Sequence, residues 1–218
     1  MLKTHTNMNV NNIPFGSQQS HFTGKPDILP GGFTFDKEHQ KLSVGDIVSA
    51  GTLGICDELN RTIRIIKTAR VSNISEDGRK VELCTYPYND PCFKVGERVY
   101  KADCTNVDFS TVPKIEKIKE TGVYVLYLSC PIPDLKENDI IEQMVESDGI
   151  AVEIGKADCL TIRNVELTDL DAGVDVTQST GIFSVKEKLI PPIPNSQKDP
   201  TGKFLIGNPH IKLISILE

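Results

Sequence analysis

Val123-Tyr-Val-Leu-Tyr-Leu128 is the stretch on which the fold reading turns. Valine, tyrosine and leucine in succession fit a pleated, half-buried surface, so a β-strand is predicted here. It is also the longest apolar run in the chain, at six residues. A membrane-spanning helix needs about 20. Upstream, Ile115 to Lys119 and the turn Glu120-Thr-Gly122 complete a predicted hairpin with it.

The same grammar extends outward in both directions. Thr62-Ile-Arg-Ile65 alternates, with Ile63 and Ile65 on one face and Arg64 on the other. Lys67 to Asn73 continues as a strand, Asp77-Gly78 supplies a hairpin turn and Lys80 to Cys84 returns. Tyr86-Pro-Tyr-Asn-Asp-Pro91 reads as a loop. Downstream, Ile150 to Ile154, Leu160 to Leu167 and Ile182 to Val185 read as β runs. Leu189-Ile-Pro-Pro-Ile-Pro194 must be extended over a surface, and Phe204 to Ile206 with Ile211 to Leu217 is read as a last hairpin. Leu135 to Val145 stays open. Asp134 and Glu137 could cap a short helical turn, which is preferred, or Gln143 to Ile154 could form a hairpin around Asp148-Gly149. The expectation is a mainly β protein with two small antiparallel barrel-like or sandwich-like parts. The first part covers residues 36–132 and the second 133–218, divided at Cys130-Pro-Ile-Pro133.

A weak repeat runs through the chain. Leu42-Ser-Val-Gly-Asp-Ile-Val48, Phe93-Lys-Val-Gly-Glu-Arg-Val99 and Leu135-Lys-Glu-Asn-Asp-Ile-Ile141 share Gly or Asn, then an acid, then aliphatics. The reading is a tight turn with the acid facing water, followed by a strand. Unequal spacing between the copies argues against a solenoid.

Residues 1–35 differ in composition. They carry only three fully charged side chains, Lys3, Lys25 and Asp27, among Asn, Gln, Ser, Gly and Pro. Such a segment buries too little to offset its ordering entropy. It is either a disordered tail or an extended arm that orders on a partner. In the second case Ile13, Phe15, Phe22, Ile28, Leu29 and Phe33 are the candidate anchors.

Composition narrows the function classes. A net charge of −6 argues against a nucleic-acid partner. The opening residues form neither a secretory signal nor a transit peptide. Six cysteines without a C-x-x-C pair read as reduced thiols, mostly buried in strands, and so as a product of a reducing cytoplasm. No metal or cofactor is expected. The nucleophile-elbow, phosphate-loop, dinucleotide-binding and zinc-protease motifs are all missing. His5, His21, His39 and His210 are too scattered to promise a catalytic or metal group. The acid-rich Leu167 to Asp175 lacks the EF-hand spacing and reads as a polar turn. No catalytic residue is assigned, and the chain is expected not to be an enzyme. Arg61, Arg64, Lys67 and Arg70 recur at every third residue. In strands that spacing scatters charge over both faces. They form either a solvated face or a strip that docks on an acidic protein surface.

One segment resembles a known family. Ala50-Gly-Thr-Leu-Gly-Ile-Cys-Asp-Glu-Leu-Asn-Arg-Thr-Ile-Arg-Ile-Ile-Lys-Thr-Ala-Arg-Val71 is similar to head-fibre and capsid-decoration proteins of tailed phages infecting gut Bacteroidetes. The shared order is a V-x-x-G-T turn, a D-x-x-x-R-T hairpin and an I-K-T-A-R-V-like strand. The Pro-rich Leu189 to Pro194 before a final strand fits the same pattern. Together the two pieces cover about a third of the chain. The resemblance implies a virion protein made in the bacterial cytoplasm and placed on the capsid exterior. It implies the major capsid protein and further copies of the same chain, as a homotrimer, as partners. A carbohydrate-binding or host-adhesion module, with Tyr86 and Tyr88 touching glycans, is the competing expectation.

Overall fold

The computed structural model describes residues 21–23, 32–85, 90–104, 108–118, 123–147, 150–168, 173–177 and 182–215. Within them the chain is mainly β. Eighteen strands and two single-turn 3-10 helices, Glu187–Leu189 and Asn195–Gln197, make up the regular structure.

One edge is a three-stranded sheet of β1 (Phe22–Thr23), β17 (Phe183–Lys186) and β18 (Ile211–Ile214). A five-stranded sheet orders β14 (Cys159–Leu160), β4 (Leu53–Asp57), β5 (Thr62–Ile65), β2 (Phe33–Phe35) and β16 (Gly173–Val174). Beside it β3 (Ile47–Val48) pairs with β15 (Val165–Glu166). The largest sheet runs β10 (Lys114–Ile118), β11 (Val123–Tyr127), β7 (Lys80–Leu83), β6 (Thr68–Ile74), β12 (Ile140–Ser147), β8 (Arg98–Lys101) and β9 (Phe109–Thr111). Its eighth strand, β13 (Ile150–Glu153), pairs with the second half of β12. Met144 has Arg98 on one side and Glu153 on the other, so β13 continues the edge that β6 leaves after Thr68. The far end curls back: Ser129 N donates to Thr111 O at 2.9 Å and Cys130 N to Ser110 Oγ at 3.1 Å.

The hairpin that opened the sequence reading forms as read, with Ile115 opposite Leu126 in an antiparallel β10–β11 pair. Its turn lies outside the described residues. So does the turn at Asp148-Gly149, but its two strands pair antiparallel, Val145 with Val152. The hairpin alternative therefore replaces the helical turn preferred for Leu135 to Val145. The reason is lateral: Ile140 to Met144 sits between β6 and β8, where a helix could not bond to either neighbour. The last hairpin forms in a short version: Phe204 and Lys212 make an antiparallel bridge, with Leu205 N donating to Ile211 O at 3.2 Å and Leu213 N to Lys203 O at 2.7 Å. Beyond that reading, β18 also takes β17 as a parallel partner. The division at 132/133 does not follow the sheets. β12, from beyond that point, is the central strand between β6 and β8 from before it.

Three cores result. Inside the curled sheet lie Val71, Val81, Phe93, Val99, Leu126 and Ile141 with their neighbours. The five-stranded sheet separates the other two. Leu53 and Leu160 face a core shared with Val185, Ile190, Ile193 and Ile211. Ile63, Ile65 and Cys159 face one shared with Phe35, Val48 and Val176. In the Pro-rich segment Leu189 ends a 3-10 helix, which corrects the extended reading at that residue; Ile190 and Pro194 have extended backbone, and Ile190 and Ile193 are buried in the core shared with Leu53 and Leu160. Thr68 Oγ1 donates to Pro192 O at 2.7 Å and ties that segment to the large sheet.

Candidate functional site

The three repeat units share one geometry. In each, Gly or Asn holds a positive φ: 89° at Gly45, 83° at Gly96 and 70° at Asn138. That conformation suits the third residue of a type II turn, and Gly and Asn tolerate it best. The acid's N–H closes the turn on the carbonyl three residues earlier, at 3.1 Å in Asp46 to Ser43, 3.1 Å in Glu97 to Lys94 and 3.2 Å in Asp139 to Lys136. Its carboxylate accepts the N–H of that same earlier residue, at 2.8 Å from Ser43, 2.8 Å from Lys94 and 2.7 Å from Lys136. Each turn then exchanges two backbone hydrogen bonds with one residue from elsewhere in the chain: Leu167 just after β15, Val112 just after β9, or Val71 in β6.

Each acid also holds a lysine from elsewhere. Asp46 pairs with Lys94 at 2.7 Å, Glu97 with Lys67 at 2.7 Å and Asp139 with Lys101 at 2.8 Å. This corrects the expectation that these acids face water. The middle pair is the most buried, with side-chain exposures of 1% for Lys67 and 3% for Glu97. Lys67 Nζ also donates to Lys41 O at 2.8 Å, and Gln143 Nε2 donates to Glu97 Oε1 at 3.1 Å. Burial pulls the Lys67 ammonium down from its ordinary value and pushes the Glu97 carboxyl up; each charge opposes that shift in the other.

A cavity of about 420 Å³ opens between the first two turns. Gly45, Asp46, Cys92, Phe93, Lys94 and Lys117 are among its lining residues. Its size lies in the range of small-ligand sites. Its charges are largely spent on each other, Asp46 on Lys94 and Asp90 on Lys117. Burial foremost, with Asp46 next, pushes the Cys92 thiol up to about 12, so it is a protonated thiol at neutral pH. The cavity therefore has the chemistry of an ion-paired seam between two turns.

The basic strip is divided among several tasks. Arg61 lies over the Phe33 ring at 5.7 Å, Arg64 pairs with Asp36 at 3.1 Å and Arg70 donates to Asn138 O at 2.7 Å. Lys67 is buried with Glu97, which removes it from any docking strip. The arm residues divide as well. Phe22 sits in β1 against the Phe183 ring at 6.0 Å, and Phe33 is a core residue of β2. Their apolar surface is already used within the chain, which corrects their reading as anchors for a partner. Ile13, Phe15, Ile28 and Leu29 lie outside the described residues, as do Tyr86 and Tyr88 and part of the Leu167 to Asp175 loop. The cysteines are also less buried than read: Cys159 is buried, Cys130 is exposed and the other four are intermediate. Only Cys56 and Cys159 lie in strands.

Glu142 gave no signal in the sequence. It stands on β12 opposite Tyr100 and Thr68, is 1% exposed, and neither carboxylate oxygen has a hydrogen bond of standard geometry among the described residues. Burial first and Glu153 second push its carboxyl up to about 7, with the Tyr100 hydroxyl opposing them weakly.

No protein-family model, curated protein or solved structure matches the chain. No helix among the described residues is long and apolar enough to cross a membrane.

Proposed function

We propose that the chain is a structural virion protein that sits on the outside of a phage capsid and decorates or stabilises it. The observation that carries this reading is the Ala50–Val71 segment, which resembles capsid-decoration proteins and forms the framework here. It builds β4 and β5 in the five-stranded sheet and then crosses into the large sheet as β6. A segment that supplies strands to both sheets fixes the architecture, and its charged side chains serve structural ion pairs. The capsid surface is the partner, and further copies of the chain complete a homo-oligomer. Residues before His21 are the tether, because Phe22 and Phe33 belong to the body.

The test uses the full chain and a truncation that begins at His21. Co-sedimentation with capsids of the encoding phage should retain the full chain and lose the truncation. Both proteins should melt cooperatively, since β1 is intact in each. Mass spectrometry of purified virions should find the chain in many copies, and its absence from virions would overturn the proposal.

A further inference from the structure

Strand β14 has only two residues, yet it places a thiol in a hydrophobic core. It lies antiparallel to β4, with Cys159 opposite Gly54 and Leu160 opposite Leu53. Side chains alternate across a strand, so Cys56, two residues beyond Gly54, shares a face with Cys159. Gly54 keeps the space between them open: a Cβ there would stand 3.0 Å from Cys159 Sγ and 2.5 Å from Ile63 Cδ1. With that space free, the two sulfurs lie 3.0 Å apart. Asp158, next along the chain, turns its carboxylate to the same place, with Oδ1 at 3.0 Å and Oδ2 at 3.3 Å from Cys56 N. One donor atom from each of the three residues lies within 4.8 Å of the others.

We propose that Cys56, Asp158 and Cys159 form a binding site for a thiophilic divalent cation of the zinc class. Two thiolates and one carboxylate match the donor preference of such ions. Zinc–sulfur bonds of about 2.3 Å at a tetrahedral centre hold two sulfurs about 3.8 Å apart. The pair therefore opens by less than about 1 Å, within reach of small side-chain rotations. Cys159 is buried in the core beside Ile63 and Ile65, whereas Cys56 and Asp158 are half-exposed. The site thus has a closed back and an open front, and water fills the fourth position. Two thiols in contact have another fate: loss of two electrons and two protons to an external oxidant gives a disulfide. The carboxylate favours the metal, because a disulfide has no use for a third donor. The bound ion would staple β14 to β4 through side chains, in addition to the backbone hydrogen bonds of Asp158 N to Gly54 O and Thr161 N to Thr52 O, each at 3.0 Å.

The test titrates cobalt(II) into the full chain, stripped with a chelator and held reduced by a phosphine. One equivalent should bind, with a thiolate-to-cobalt charge-transfer band that zinc(II) then abolishes. Zinc should also raise the thermal midpoint. Cys56→Ser should lose the band and the thermal shift, and Asp158→Asn should keep the band with weaker binding. Cys130→Ser, at an exposed thiol, should change neither. Because Cys159→Ser alters a core residue, the half-exposed Cys56 variant decides the matter. Absence of the band in the reduced wild-type chain overturns the proposal. So does a band that survives in folded Cys56→Ser.

Discussion

The first and second turns are one backbone device in two environments. Asp46 and Glu97 make the same pair of contacts to a residue three positions earlier, and each grips one lysine. The Asp46–Lys94 pair keeps a quarter of its lysine side chain in solvent, with exposures of 17% and 25%. The Glu97–Lys67 pair has 3% and 1%. Local sequence therefore sets the shape of the turn, while depth decides how strongly each charge depends on its partner. In water an ion pair is screened and replaceable; in a core each ion's desolvation must be offset by the other.

The largest effect should come from splitting the buried pair. Glu97→Gln or Lys67→Met alone leaves one buried charge unpaired and should cost about 3–5 kcal/mol in urea denaturation. The double variant, Lys67→Met with Glu97→Gln, should recover most of that loss. A double variant as unstable as the worse single one would show that backbone contacts, not paired charge, hold the second turn.

Glu142 sharpens the comparison, because it is a buried carboxylate that no lysine contacts in an ion pair among the described residues; Lys156 only weakly offsets its burial and Glu153. Its folded value of about 7 is above its unfolded one. Its contribution to stability is therefore full below the ordinary carboxylate range and lost as the pH rises through about 7. Glu142→Gln should change little near about pH 4 and stabilise on the order of 3 kcal/mol near about pH 8. Thermal melts of both proteins across that range are the measurement, and a gain that does not vary with pH would remove the buried charge from the account.

The smallest effect belongs to the first turn. Asp46→Asn keeps an oxygen for the Ser43 N–H and loses only a partly solvated ion pair, at about 1 kcal/mol or less. That loss should shrink further in high salt, whereas the cost of Glu97→Gln should not.

The strands were legible where short-range pattern is enough. Thr62 to Ile65 and Val123 to Tyr127 alternate or enrich as strands do, and Asp77-Gly78 marks its own turn, with Gly78 at a φ of 68°. Leu135 to Val145 was misleading because its apolar spacing fits a helix and a strand equally. The flanking β6 and β8, distant in sequence, decide between them. The repeat could be seen in the sequence, but its acids read as solvated, since nothing local to Glu97 announces a lysine thirty residues away. Cys56 and Cys159 gave even less, being separated by 103 positions with no motif between them.

By itself, the sequence determined a mainly β chain, the hairpins around Asp77-Gly78 and over Ile115 to Leu128, the three Gly/Asn-acid turns and the difference in composition between residues 1–35 and the rest. These follow from backbone preferences and side-chain period, which act over a few residues. Only the tertiary structure decided which acid is buried, which lysine answers it, where Phe22 and Phe33 spend their apolar surface, and that two cysteines and an aspartate meet. Those depend on strand register between distant segments, and a shift of one residue turns every side chain to the other face.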